Sequence, residues 1–123
     1  LSGNKELNIV NDKLGTPTYT RDFARNVKIL IERGKTSLYN MVCQGFTSRL
    51  EVAQELVKQL GMNEDIKINE VSSEHFKKEY FAPRPASERL INARLSQENL
   101  DIMRDWRISL CEYLSESYSE YIN

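Results

Sequence analysis

The chain has 123 residues and a formal net charge of -1, with 17 Lys and Arg against 18 Asp and Glu, and 40% of its residues are hydrophobic. That is the make-up of one globular domain, long enough to bury about two-thirds of its unfolded surface, and its charge balance argues against the basic face with which general nucleic-acid binders neutralise phosphates. The longest apolar run, Ile29-Leu30-Ile31, is far short of the ~20 residues of a membrane span and no basic-then-apolar leader opens the chain, so a cytoplasmic protein with neither membrane nor nucleic acid as partner is expected.

Leu7 and Ile9 begin an apolar alternation that predicts a strand closing near Asn11-Asp12. A corner follows, in which a flexible Gly15 and a rigid Pro17 present the hydroxyls of Thr16 and Thr18 and the phenol of Tyr19 at the start of a helix. Those groups suit a polar ligand, but Gly, Pro and Thr also build turns that bind nothing, and from the residues alone the turn is the better reading. The helix itself is predicted over Arg21 to Arg33, capped by Thr20, with Phe23, Val27 and Leu30 on its apolar face and Gly34 as its stop. Asp22 suits the first turn, while Arg21 reads as a solvated charge.

Ser37 to Val42, "SLYNMV", predicts a strand apolar enough to be buried on both faces, which is the setting of a larger parallel sheet. Ser48 and Glu51 have the spacing of a capping box and open a helix with Leu50, Ala53, Leu56, Val57 and Leu60 on one face, ended by Gly61 in a left-handed cap. Ile66 to Val71 alternates apolar and polar residues, the pattern of a half-buried strand. Between Glu74 and Leu90, Pro83 and Pro85 bracket Arg84 and predict an ordered loop or tether. A guanidinium held between prolines is well prepared to grip phosphate, though a surface ion pair explains it about equally well from the residues alone. From Arg104 onward Trp106, Leu110, Tyr113, Leu114 and Tyr121 predict a terminal helix whose aromatics belong to a core or an interface. Cys43 and Cys111, each beside an apolar residue, read as buried thiols, and with His75 they are too scattered for a metal site.

Several of these segments together resemble a known family. "IVNDKLGTPTYTRDFA" resembles the Val-Asn-Asp-x-x-Gly-x-Pro-Thr-Tyr-x-x-Asp-Leu-Ala stretch of the dTDP-4-dehydrorhamnose reductases, extended short-chain dehydrogenase/reductases that act on nucleotide sugars. "SLYNMVCQGFTSRLEVAQELVKQLG", "INEVSSEHF", "APRPASERLINARL" and "DWRISLCEYL" are similar to later segments of that family, in the same order, so that the resemblance spans essentially the whole chain. The chain departs from the pattern at Asn40, Phe46, Arg49, Leu50 and Ile91, which leaves the sugar and the base open.

The resemblance implies an α/β fold, the C-terminal part of a Rossmann-type extended short-chain dehydrogenase, with short strands, three main helices and most of the dinucleotide-binding sheet absent. Residues 1–123 would then form the nucleotide-sugar-binding domain. Thr16, Pro17, Thr18 and Tyr19 are expected to shape its pocket, and Arg84 to hold the diphosphate. The glycines, at 3, 15, 34, 45 and 61, form no dinucleotide fingerprint, and no Tyr is followed four places later by Lys, so no catalytic or cofactor-binding residue is expected in this chain. NADP or NAD would be bound by an N-terminal part missing from it. The parent protein is expected to be an NAD(P)H-dependent reductase and this chain alone inactive; a related epimerase or reductase, or a non-catalytic relative of the same fold, are the alternatives. Strand edges, or the aromatic face of the terminal helix around Trp106, Tyr113 and Tyr121, are expected to drive self-association of the isolated chain.

Overall fold

A computed structural model of the chain describes residues 3, 5–78, 82 and 84–119. Its elements are β1 (Glu6–Val10), β2 (Leu14–Gly15), α1 (Thr20–Glu32), β3 (Thr47–Ser48), α2 (Arg49–Gln59), β4 (Lys67–Val71), a 3-10 turn (Ser73–Phe76), α3 (Ala93–Gln97) and α4 (Trp106–Ser117). β1 and β4 pair in parallel, in register from Glu6 opposite Lys67 to Val10 opposite Val71, and the chain between them carries α1 and α2. A parallel pair needs such a long crossover. β2 pairs antiparallel with β3, Leu14 opposite Ser48 and Gly15 opposite Thr47.

Local chemistry sets the ends of the long helices. The Ser48 side chain accepts the Glu51 N–H at the start of α2, so half of the expected capping box forms; the Glu51 carboxylate is engaged instead by the Thr47 hydroxyl, at 2.5 Å. At the other end Gly61 takes the left-handed conformation (φ 66°), with the Gly61 and Met62 N–H groups donating to the carbonyls of Lys58 and Val57. That is the paired-bond motif for which glycine is favoured. α4 is capped by Asp105, whose carboxylate accepts the Arg107 N–H.

Four expectations are corrected. Ser37–Val42 is not a strand but an irregular segment with Leu38 84% exposed. Its backbone is satisfied by a side chain: the Asn92 amide accepts the Val42 N–H (2.9 Å) and donates to the Val42 carbonyl (2.8 Å), doing what a neighbouring strand would do. Thr20 does not cap α1; it is the first helical residue, preceded by Tyr19, which makes no side-chain cap bond. The inward stripe of α1 is Asp22, Asn26 and Leu30: of the expected apolar face Leu30 is buried, Val27 only partly so, and Phe23 is left half-exposed, its place taken by the polar Asp22. Cys43 is buried as expected, whereas Cys111 is exposed on α4. Trp106 is in the core, one of the two settings expected for the aromatics of the terminal helix, buried with Cys43 and Met103 against Tyr19, Met41, Val52 and Leu110. Pro83 and Tyr121 lie outside the described residues, and α3 lies in a stretch where no helix is expected.

The polar stripe of α1 is held by the chain leading into α4. Asp22 accepts two bonds from the Arg104 guanidinium (Nε 3.0 Å, Nη2 2.7 Å) and one from the Ser109 hydroxyl (2.6 Å). One turn on, Asn26 donates to the Leu100 carbonyl and accepts the Ile102 N–H. Burial pushes the Asp22 carboxyl up, but the Ser109 and Arg104 hydrogen bonds, with the charges of Arg104 and Arg25, outweigh it and hold the group below its ordinary value. Glu112 is likewise lowered, chiefly by its bond to Arg104.

Removing Asp22 leaves the inward part of Arg104 without its partner. Asp22→Ala is therefore expected to cost about 3 kcal/mol of stability at neutral pH, read by denaturant titration. The sign with pH follows from the depressed carboxyl: the contribution is complete above about pH 5 and is lost as pH falls through the folded value, so the gap between wild type and variant narrows in acid. A gap that stays constant down to pH 2 would show that the carboxylate charge is not what stabilises the fold.

Candidate functional site

The turns after β1 and β4 are bonded to each other. The Asp12 carboxylate accepts the Ser73 N–H (3.1 Å) and the Ser73 hydroxyl (2.9 Å), and these bonds, the backbone one foremost, hold Asp12 below the ordinary carboxylate value. The 3-10 turn is thereby fixed beside the end of β1. On the other side, the Leu14 N–H donates to the Ala86 carbonyl (2.9 Å) and the Glu88 N–H to the Leu14 carbonyl (2.8 Å), so residues 86–88 run parallel along β2. Lys13 Nζ completes this attachment by donating to the Arg84 carbonyl (2.9 Å).

These attachments enclose a hollow of about 630 Å³ lined by Asn8, Ile9 and Val10 of β1 and by Phe76, Arg84 and Arg49. A smaller hollow of about 300 Å³ is lined by Thr16, Pro17, Thr47, Ser48 and Glu88, and Lys13 and Arg49 line both. Lys13, Arg49, Lys77 and Arg84 line the larger hollow against the single acid Glu74, which pairs with Lys77 at 2.9 Å. Among the described residues Lys13, Arg49 and Arg84 make no ion pair. A chain with a net charge of -1 thus gathers cations in one concave place, against a single lining acid, and guanidinium and ammonium groups brought together in this way favour a phosphate or carboxylate ligand.

The residues singled out in the sequence divide. Arg84 lines the larger hollow, and Thr16 and Pro17 line the smaller. Thr18 and Tyr19 line neither. The Thr16 hydroxyl donates to the Gly45 carbonyl (2.7 Å), and the Thr18 hydroxyl accepts the Cys43 N–H (3.3 Å), so the corner is stitched to residues 43–45. The Tyr19 hydroxyl donates to Glu116 (3.2 Å), and its ring meets that of Tyr113 edge-on at 5.9 Å. Arg49, Lys13 and Lys77 are the lining cations that the sequence reading did not single out as ligands, and of these Lys77 is paired with Glu74. Nothing along the chain marked Arg49 as a ligand, since a basic residue opposing the macrodipole in the first turn of a helix also occurs at Arg21, where it pairs with Glu116.

Among the described residues, no group of His, Cys, Asp and Glu is arranged to hold a metal ion, and no helix is long and apolar enough to cross a membrane. Nor do they fit a dinucleotide: of the five glycines, only at Gly45 would an added Cβ meet neighbours, the Asp105 and Trp106 side chains, and no strand-to-helix turn carries the closely spaced glycines of a pyrophosphate cradle.

Comparison with known proteins gives a consistent result. The family described as RmlD substrate binding domain matches residues 1–119. The chain is 31% identical over 115 residues to the spore coat polysaccharide biosynthesis protein SpsK of Bacillus subtilis, covering 94% of this chain and 38% of that protein. It is 26% identical over 110 residues to the dTDP-4-dehydrorhamnose reductase of Mycolicibacterium smegmatis, covering 89% and 33%. Among solved structures, a dTDP-4-dehydrorhamnose reductase from Clostridium acetobutylicum superposes with a TM-score of 0.86 at 34% identity, over 92% of this chain and 39% of that one. The corresponding reductase from Bacillus anthracis, in complex with NADP, superposes with a TM-score of 0.85 at 24% identity, over 93% and 39%. The chain therefore spans less than two-fifths of the length of these relatives.

Because its hydroxyl is spent on Gly45, Thr16 supports the hollow more than it offers a free polar group. Thr16→Val, which keeps the shape and removes the bond, is expected to lower stability by about 1 kcal/mol. Thermal unfolding measures this, and an unchanged midpoint would show that the corner is held by other means.

Proposed function

The chain belongs to the RmlD substrate binding domain family and has the fold of the C-terminal part of dTDP-4-dehydrorhamnose reductases, and on that premise we propose that it holds the nucleotide sugar for an NAD(P)H-dependent reduction at a sugar 4-keto carbon. The observation that carries the proposal is the convergence of Lys13, Arg49 and Arg84 on a hollow large enough for part of a nucleotide sugar. A nucleotide sugar presents a diphosphate, which matches a cationic wall, and neutral rings, which match the apolar part of a lining that includes Phe76 and β1 residues.

In this reading the residues of the chain bind and orient. Arg84 grips the diphosphate, Pro17 and Thr16 bound the space beside it, and the sugar is thereby fixed relative to the reacting groups, which is worth a large part of a catalytic barrier when the geometry is right. The dinucleotide, NADP or NAD, supplies the hydride from a part of the protein outside these residues. The 123 residues alone are expected to show no turnover, since neither a cofactor cradle nor a tyrosine-lysine proton donor is among them.

In the longer reductase, Arg84→Ala is expected to weaken nucleotide-sugar binding about 10- to 100-fold, the usual cost of losing a hydrogen-bonded charge partner, with NADPH affinity unchanged. Arg84→Lys should recover only part, because the bidentate fork is lost. Unchanged substrate affinity in a folded Ala variant would make Arg84 a structural residue.

A further inference from the structure

The cations of the larger hollow come from different elements: Arg84 from the proline-flanked segment before β2's parallel partner, Lys13 from the turn between β1 and β2, and Arg49 from the first turn of α2. Arg49 is the one whose position the fold itself does not explain. Its place at the positive end of α2 is unfavourable for a cation. The nearest acid in the first turn, Glu51, is already engaged by the Thr47 hydroxyl at 2.5 Å and by Arg107 at 3.6 Å. Arg49 is exposed, makes no ion pair among the described residues, and lines both hollows where they adjoin. An arginine kept there against the helix dipole, lining the same hollow as the Arg84 guanidinium, is placed to meet an anion entering it.

We propose that Arg49 is a second phosphate-binding residue, closing from the α2 side the diphosphate subsite that Arg84 forms from the proline-flanked segment. The inference rests on the nucleotide-sugar reading above and adds a residue to its site. Two guanidiniums approaching a diphosphate from different elements divide its oxygens between them, and Lys13, bonded to the Arg84 carbonyl, holds the walls in register. Because Arg49 is also at the junction with the smaller hollow, its side chain fixes where the diphosphate ends and the adjoining ring begins.

The test compares dTDP with uncharged thymidine, by calorimetry on the protein carrying these residues, as wild type, Arg49→Ala, Arg49→Gln, Arg49→Lys and Arg84→Ala. Arg49→Ala and Arg49→Gln are expected to weaken dTDP binding about tenfold and leave thymidine unchanged, with Arg49→Lys recovering part of the loss. The dependence of dTDP affinity on salt should also become shallower in the uncharged variants. Arg49 is on the surface of α2, so the variants are expected to unfold at the wild-type temperature. If dTDP affinity stays within about twofold in the folded Arg49 variants while Arg84→Ala loses it, the inference is overturned and the nucleotide-sugar reading stands. Equal losses for dTDP and thymidine would make Arg49 a determinant of shape and overturn the phosphate role. A wild-type protein that binds no dTDP would overturn the reading and the inference together.

Discussion

The Asp22 carboxylate, 3% exposed on the inner face of α1, is the constraint on which the rest of the molecule depends. Its oxygens accept the Arg104 guanidinium and the Ser109 hydroxyl, and Asn26 one turn later takes up backbone groups of Leu100 and Ile102. A helix that turns polar groups inward has only one acceptable partner, a segment presenting complementary groups at that spacing, and residues 100–109 provide it. Burial of such a carboxylate contributes little net stability compared with an apolar replacement of the same shape. What it imposes is a single docking position for the chain entering α4.

That position organises the neighbouring segments. With residues 100–105 fixed on α1, Trp106 is delivered to the core beside Cys43 and Met103. The Gln44 N–H bonds the Arg104 carbonyl and the Trp106 N–H the Gln44 carbonyl, so the strap is anchored at Gln44 by a single parallel bridge to Asp105 and bends at Gly45, without belonging to a sheet. Asn92 ties Val42 to Asp101 from the other side. The corner at Thr16 and Thr18 is then bonded to this strap through Gly45 and Cys43. The hollow that carries the cations is built on the far side of the corner, between β1, α2 and the segment around Arg84. A rigid polar frame thus supports a cationic cleft made of short, separately anchored pieces.

Legibility from the sequence followed the range of the interactions involved. β1, β4, α1, α2 and α4 were readable because periodicity, a Ser cap and glycine stops act within a few residues. The fold family was readable from the order of several short segments. Ser37 to Val42 misled because its apolar, β-branched and aromatic content is that of a strand, while the partner that satisfies its backbone is the amide of Asn92, fifty residues on. The polar part of the inward face of α1 was missed for a similar reason: nothing local reveals that Asp22 will meet Arg104. At the site, Arg84 was found through its prolines, but Arg49 and Lys13 join it only through the β2–β3 pairing and the 86–88 segment, which no spacing along the chain expresses.

The central claim is that the cleft between β1, α2 and the Arg84 segment holds the diphosphate of a nucleotide sugar. A crystal structure of the protein with a bound dTDP-sugar tests it most directly. The account predicts diphosphate oxygens about 3 Å from the guanidinium nitrogens of both Arg84 and Arg49. A nucleotide sugar bound elsewhere, with both guanidiniums facing solvent, would contradict it.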